Sequence, residues 1–334
     1  MAIVTDRGCD RLRFYAIDPG DTASPLTDIT APDVPRVFPL RLVQPSPLQP
    51  SDVPAGLQGN PLDDQDTAYG IGLWRREDAL YAFVSQRNRS VVSQLRILPM
   101  ADGQLSYYKI RTFVFNPTFR LPDEDGALVW TPCREEADHD PQSEGIVVDQ
   151  RRSVLYVGVE TIGLYAVRLG HHLGKHVMVG RESLLEPVKF FGDPYWAVPD
   201  NDEFECAYDP EGTPQPDTIV ANGSTAFGGR HLEADLEGLA IYYRGHGGGY
   251  LIASSPGDST FQVFMRTGSN RHVASFQVDG VEDTDGLDIT SVSLGSAYPS
   301  GLLAVHNGKA PAPADTSDIN GYEYDNSTQF KFVS

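Results

Sequence analysis

Four residues able to offer oxygen to a cation recur in one context: an acid or a tyrosine, then glycine, then alternating apolar residues. The copies are Tyr69-Gly70-Ile71-Gly72-Leu73, Glu144-Gly145-Ile146-Val147-Val148, Glu237-Gly238-Leu239-Ala240-Ile241 and Asp285-Gly286-Leu287-Asp288-Ile289. Each copy reads as the opening of a strand. If those strands are equivalent members of successive units about one axis, three carboxylates and a phenol converge at one end of it. Like charges so placed repel strongly unless something neutralises them. A cation does so, and a donor set made only of oxygen points to calcium rather than zinc or copper. Glu160, which ends the element after Glu144, joins the same cluster. An acid ahead of glycine also caps its own turn, and one copy would mean no more than that; the repetition argues for a ring.

The elements that must position this ring are themselves repeated. After each first element and a polar turn comes a more apolar one: Leu80 to Ser85, Leu155 to Glu160, Tyr250 to Ser255 and Leu302 to Asn307. A third follows at Val91 to Ile97, Gly163 to Arg168, Thr260 to Met265 and Gln329 to Val333, and a fourth at Tyr107 to Phe115, His176 to Gly180 and His272 to Val278. Residues 2–7 match the second element and Arg11 to Asp18 the third. Four short strands per unit, in a fixed order and separated by turns, describe a propeller blade rather than a plain sandwich. The reading is therefore all-β, a β-propeller of the six-bladed type with about five blades' worth in this chain, forming a single domain over residues 1–334. Two polar stretches, 116–142 and 170–230, interrupt the repeat and are read as insertions on its surface.

Composition narrows the partners. The chain has 334 residues and a formal net charge of −20, which argues against nucleic acid, since phosphate-backbone binding needs clustered Lys and Arg. The 32 glycines and 25 prolines suit many short strands joined by turns. Cys9, Cys133 and Cys206 are far apart and form no zinc-type pair. No apolar run is long enough to span a bilayer, and Met1 leads into Ala-Ile-Val-Thr-Asp without a secretory signal.

Several longer strings resemble the β-propeller phytases. They include Ser143-Glu144-Gly145 with Leu155 to Glu160, the run Ala234 to Tyr243, Gly249 to Ser255, Asp283-Thr284-Asp285-Gly286-Leu287-Asp288 and the closing Gln329 to Val333. Thr5-Asp6-Arg7 with Phe14 to Asp18 is similar to the family's second blade. The resemblance implies calcium-dependent hydrolysis of phosphate monoesters of myo-inositol hexakisphosphate by metal-activated water, with several calcium ions at one propeller face. It implies that Tyr69, Glu144, Glu160, Glu237 and Asp285 hold the calcium, with Glu144, Glu237 and Glu160 as the catalytic set. Asp235 matches a further family acid and joins the metal set. Arg7 matches a position that binds substrate phosphate, and Arg87 stands where the family often has Lys for the same task.

The same resemblance implies an extracellular or periplasmic monomer acting on a small-molecule substrate, with no nucleic acid and no membrane as partner. Departures from the family pattern are equally definite. Its first blade carries an Asp-Asp-Pro-Ala motif and a Lys pair that this chain lacks, so the reading frame is expected to extend upstream through a first blade and a signal. A family Gln after Ala-Ser-Ser is Pro256 here, and Gln-Asp-Gly in the last blade is His306-Asn307-Gly308. Two alternatives stay open: a non-catalytic propeller that binds calcium or a polyanion, and a calcium-dependent, lactonase-like propeller.

Overall fold

A computed structural model describes residues 1–38, 66–117, 119–123, 126–130, 140–170, 173–189, 195–200, 203–208, 229–311 and 326–334. The first sheet joins β1 (Ala2–Asp6), β2 (Arg11–Ile17) and β3 (Leu26–Asp28). The second contains β4 (Ala68–Arg76), β5 (Ala79–Gln86), β6 (Val91–Pro99) and β7 (Leu105–Phe115). A hairpin of β8 (Phe119–Asp123) and β9 (Gly126–Trp130) follows, then β10 (Ser143–Asp149), β11 (Val154–Val159) and β12 (Gly163–Arg168). Next come β13 (His176–Val179), β14 (Leu184–Pro187) and a second hairpin, β15 (Tyr195–Asp200) with β16 (Glu203–Tyr208). The fourth sheet is β17 (Leu239–Tyr243), β18 (Gly249–Ser255), β19 (Thr260–Met265) and β20 (His272–Phe276). The fifth is β21 (Leu287–Thr290), β22 (Leu302–Pro311) and β23 (Asn326–Val333).

These are five blades, antiparallel but for one outer strand, and each repeated first, second and third element falls on a strand of the expected rank. One fourth element is corrected. His176–Val179 does not close the third blade; it pairs in parallel with β7 on the outer edge of the second. β14 completes the third blade, against β12. The reason is physical. A blade's outermost strand contributes little to the core, and none of β14's four residues is fully buried, so no apolar pattern announces it.

The strands β4, β10, β17 and β21 pack side by side as successive inner strands, and β1 packs against β4. Each second strand is gripped by neighbouring blades, which explains its apolar run: all six residues of β11 are buried. The core is thus divided among the blade interfaces. One cluster, including Phe83, Phe113, Tyr156, Tyr165, Leu251 and Phe264, joins the second, third and fourth blades. A second, with Leu12, Phe14, Phe38, Leu95 and Tyr107, joins the first to the second. A third, with Ile252, Phe261, Leu303 and Val305, joins the fourth to the fifth. Each fully buried side chain of this size contributes roughly 1.5–3 kcal/mol of apolar transfer. Of the two stretches read as insertions, residues 176–179 and 184–187 are strands of the second and third blades, and much of the rest lies outside the described residues, including the acidic residues Glu124 and Asp125 and the pair His171 and His172. Among the described residues no helix is long and apolar enough to cross a membrane.

At the end of β10 opposite Glu144, a buried ion pair pins the third blade to the fourth. Arg266 Nε lies 2.7 Å from Asp149 Oδ2, with the two side chains 2% and 0% exposed. Arg266 Nη1 donates to the carbonyls of Gly247 (2.6 Å) and Gly248 (2.8 Å), and Asp149 Oδ1 accepts from the Arg151 and Arg152 amides. Arg266→Ala leaves Asp149 buried without its counter-charge, so it is expected to destabilise the chain by about 3–5 kcal/mol. Chemical denaturation checks this; a change below about 1 kcal/mol, the scale of an exposed ion pair, would show that the pair does not hold the blades.

Candidate functional site

The acid–glycine dipeptides stand where the inner strands leave the regular ladder. In β4 the register shifts between Ala68 and Ile71, and in β10 between Ser143 and Ile146. Each shift leaves one extra residue on the inner strand, so Tyr69-Gly70 and Glu144-Gly145 form equivalent β-bulges, a device that re-aims side chains. Glu237-Gly238 and Asp285-Gly286 come just before β17 and β21. The glycines then determine how closely the blades approach. A Cβ on Gly70 would lie 2.2 Å from the Glu144 carbonyl oxygen, and one on Gly145 would lie 1.7 Å from that of Glu237. The Gly238 amide donates to the Asp285 carbonyl at 2.7 Å. Tyr69, Glu144, Glu237 and Asp285 are thereby strung across four successive blades. Gly145→Ala must push the third and fourth blades apart, so it is expected to lower Tm and impair folding. Thermal melting checks this, and a wild-type Tm would contradict the close approach.

Most of the other expected residues gather around this string. Arg7, just after β1, holds its guanidinium 5.1 Å from the Tyr69 ring centroid, and Thr5 donates its hydroxyl to the Tyr69 carbonyl at 2.7 Å. The Leu236 amide donates to the Glu160 carbonyl at 3.1 Å, tying the segment that carries Asp235 and Glu237 to the end of β11. Asp285 Oδ2 lies 3.1 Å from His306 Nδ1. Arg87 occupies the β5–β6 turn, where its amide donates to the Thr67 carbonyl at 2.9 Å. Below the acids, Ile71, Ile146, Leu239 and Leu287, each two residues beyond its Tyr or acid, line a cavity of about 210 Å³ together with Glu144 and Asp285. Aliphatic side chains and carboxylates thus share one cavity.

Crowding and burial show in the acidity of the group. Glu237 is pushed up to about 10, first by burial and then by the charges of Glu144, Asp285 and Asp235. Burial is also the main cause that raises Glu144, with Asp285 and Asp235 adding to it. Glu160 rises well above the carboxylate range through burial, Asp235 and Glu144. Tyr69 is pushed up to about 12 by burial and by Glu144 and Glu160, against the pull of Arg7. Glu237 Oε2 is buried without a hydrogen-bond partner.

A cation fits this donor set in part. All the candidate ligands are oxygen, one buried oxygen is orphaned, and their mutual repulsion is what a hard cation relieves. Against that, among the described residues no three His, Cys, Asp or Glu side chains are arranged to hold a metal ion as they stand. The two observations are compatible because Glu144 and Glu160 are hydrogen-bonded to each other. That is the arrangement of carboxyls sharing a proton, whose place a hard cation would take. Sequence reasoning missed Gln142, whose Nε2 donates to Glu160 Oε1 at 2.8 Å and to Glu144 Oε2 at 3.4 Å. Its place two residues before Glu144 was the one available signal. It also missed the aliphatic lining of the cavity, although the recurring aliphatic two residues after each acid was legible.

Comparison with known proteins gives a partial match to one family model and a partial relative. The model of the family described as Phytase matches residues 188–320. A 3-phytase of Bacillus subtilis (strain 168) is 45% identical over 87 residues, a match that spans 24% of this chain and 23% of that protein. Among solved structures, the Malassezia sympodialis allergen Mala s 1 is 10% identical with a TM-score of 0.37, covering 92% of this chain and 86% of that one. A GH43_1 enzyme from Xanthomonas citri is 11% identical with a TM-score of 0.27, covering 72% and 82%. Likenesses this distant decide nothing, and the fold rests on the chain's own strand order.

Proposed function

We infer that this chain, a relative of the β-propeller phytases, is a calcium-dependent phosphomonoesterase acting on myo-inositol hexakisphosphate. The observation that carries the reading is the string of Tyr69, Glu144, Glu237 and Asp285 across successive blades, with Glu160 and Asp235 beside it. Three half-buried carboxyls, Glu144, Glu160 and Glu237, crowded by the exposed Asp235 and Asp285, are costly unless a cation offsets them. Calcium held by these oxygens would supply positive charge against the negative charge of the phosphate and would ease deprotonation of an attacking water.

The chain's own residues have the remaining roles. Glu144, Glu160, Glu237, Asp285 and Asp235 supply the carboxylate oxygens, and Tyr69 a phenolic one. Glu237 Oε2, a buried oxygen without a hydrogen-bond partner, would be a ligand for the cation. Ile71, Ile146, Leu239 and Leu287 line the cavity into which Glu144 and Asp285 face. Arg7, steadied over Tyr69, and Arg87 at the mouth bind phosphate oxygens. By the family resemblance we place this activity outside the cytoplasm, in a single propeller domain over residues 1–334.

Two observations favour a second reading, a propeller that binds calcium or a polyanion without catalysis. His306 already engages Asp285, and Pro256 offers no side-chain oxygen where the family has Gln. Phosphate release from inositol hexakisphosphate, measured beside lactone hydrolysis, separates the readings. Release of phosphate and no lactonase activity is expected; calcium binding without phosphate release would favour the second reading.

A further inference from the structure

We propose that Gln142 is a positioning residue that sets Glu144 and Glu160 for the cation and couples them to the turn carrying Arg87. This inference rests on the calcium reading above. The amide's orientation is determined by its partners. Oε1 accepts the Asn88 amide at 2.7 Å, so the NH2 end must face the other way, toward Glu160 Oε1 at 2.8 Å and Glu144 Oε2 at 3.4 Å. A carboxamide has two N–H donors, one for each carboxyl. Two carboxyls from adjacent strands are thereby gripped by one neutral group.

The grip is anchored on both sides. The Asp140 amide donates to the Asn88 carbonyl at 3.0 Å, and the Ser143 amide to the Arg89 carbonyl at 3.1 Å. The Ser90 hydroxyl donates to the Pro141 carbonyl, and the Glu160 amide to the Gln142 carbonyl at 3.0 Å. On the far side of the turn, Arg89 is paired with Asp66 at 2.7 Å. Residues 140–143 are therefore stitched to the β5–β6 turn and to the end of β11 together. A shift of either carboxyl on cation binding is transmitted through one rigid amide to the backbone of Asn88, next to Arg87.

The residue type suits the task. A lysine here would cancel the charge that attracts the cation, and a glutamate would add a third repelling carboxylate. An amide donates without a charge. Hydrogen-bonding partners that orient ligating carboxylates matter for binding although they do not touch the metal.

The test uses the full chain with Gln142→Met, which removes the amide at similar length, and Gln142→Glu, which keeps an acceptor for Asn88 but turns an oxygen toward Glu160. Phosphate release from inositol hexakisphosphate is followed across a calcium titration, and melting is followed in chelator and in calcium. Gln142→Met is expected to raise the half-saturating calcium concentration by about 10–100-fold, with most of the maximal rate returning at saturating calcium. Gln142→Glu is expected to melt below wild type in chelator and to recover in calcium. An unchanged half-saturation in Gln142→Met, with only Tm lowered, would make Gln142 a structural residue and overturn the inference. A wild-type Tm for Gln142→Glu in chelator would overturn it too. If the wild-type chain shows no calcium-dependent release, the parent reading fails, and this inference with it.

Discussion

Glu144→Gln is expected to cut phosphate release by at least about a hundredfold, the scale of losing one charged group that stabilises a transition state. The swap keeps the size of the side chain and removes one negative charge from the cation's ligand set. It also removes a charge that repels Glu237 and Glu160, for which Glu144 is a named cause of their raised acidity constants. The same variant should therefore melt at a higher temperature than wild type in chelator while losing activity in calcium. Those opposite signs separate a functional carboxylate from a turn cap, because losing a cap lowers stability. Glu237→Gln is expected to behave alike. Turnover near wild type in both variants would remove the two residues from the catalytic set.

The second large effect is a dependence of stability on pH that calcium reverses. In the cation-free chain Glu237 is held near 10, against an ordinary value of 4.5, and Glu144 and Glu160 are raised as well. Between those limits the folded chain binds more protons than the unfolded one. Stability is thus fully present below the unfolded value and is lost as pH rises toward the folded one, by about 1.4 kcal/mol per pH unit for each group held protonated. Calcium takes the place of those protons, so the gain in Tm on adding it should grow with pH. Asp10 needs separating from this. It is buried between the Phe38 and Ala68 amides and raised to about 6, and it gives a fall of the same sign that calcium does not touch. Melts at about pH 6.5 and about pH 8.5 lie above most of its range. A calcium-induced gain in Tm that is equal at the two values would show that calcium does not replace those protons.

Much of this was legible in the sequence because the repeat is carried by buried residues. The acid or tyrosine, the glycine and the following aliphatic recur since each blade must pass the same crowded axis, and their contacts are with one another. The apolar second strands were legible for the same reason. What escaped notice depends on edges and on single contacts. His176–Val179 alternates well enough to pass for a fourth strand, yet nothing in its residues says that it pairs with β7 rather than β12. Gln142 and the Arg266–Asp149 pair act through polar atoms brought together over 18 and 117 positions of sequence, and one copy of such a contact leaves no repeat to detect. His306 was visible as a departure from the family pattern, but its contact with Asp285 was not.

The most direct test of the central claim is the rate of phosphate release from inositol hexakisphosphate as free calcium is varied, with wild type and Glu144→Gln side by side. The account predicts a wild-type rate that rises with calcium to saturation, vanishes in chelator and returns when calcium is restored, with the variant near background throughout. Release that persists in chelator, or that is equal in the two proteins at every calcium concentration, would contradict it.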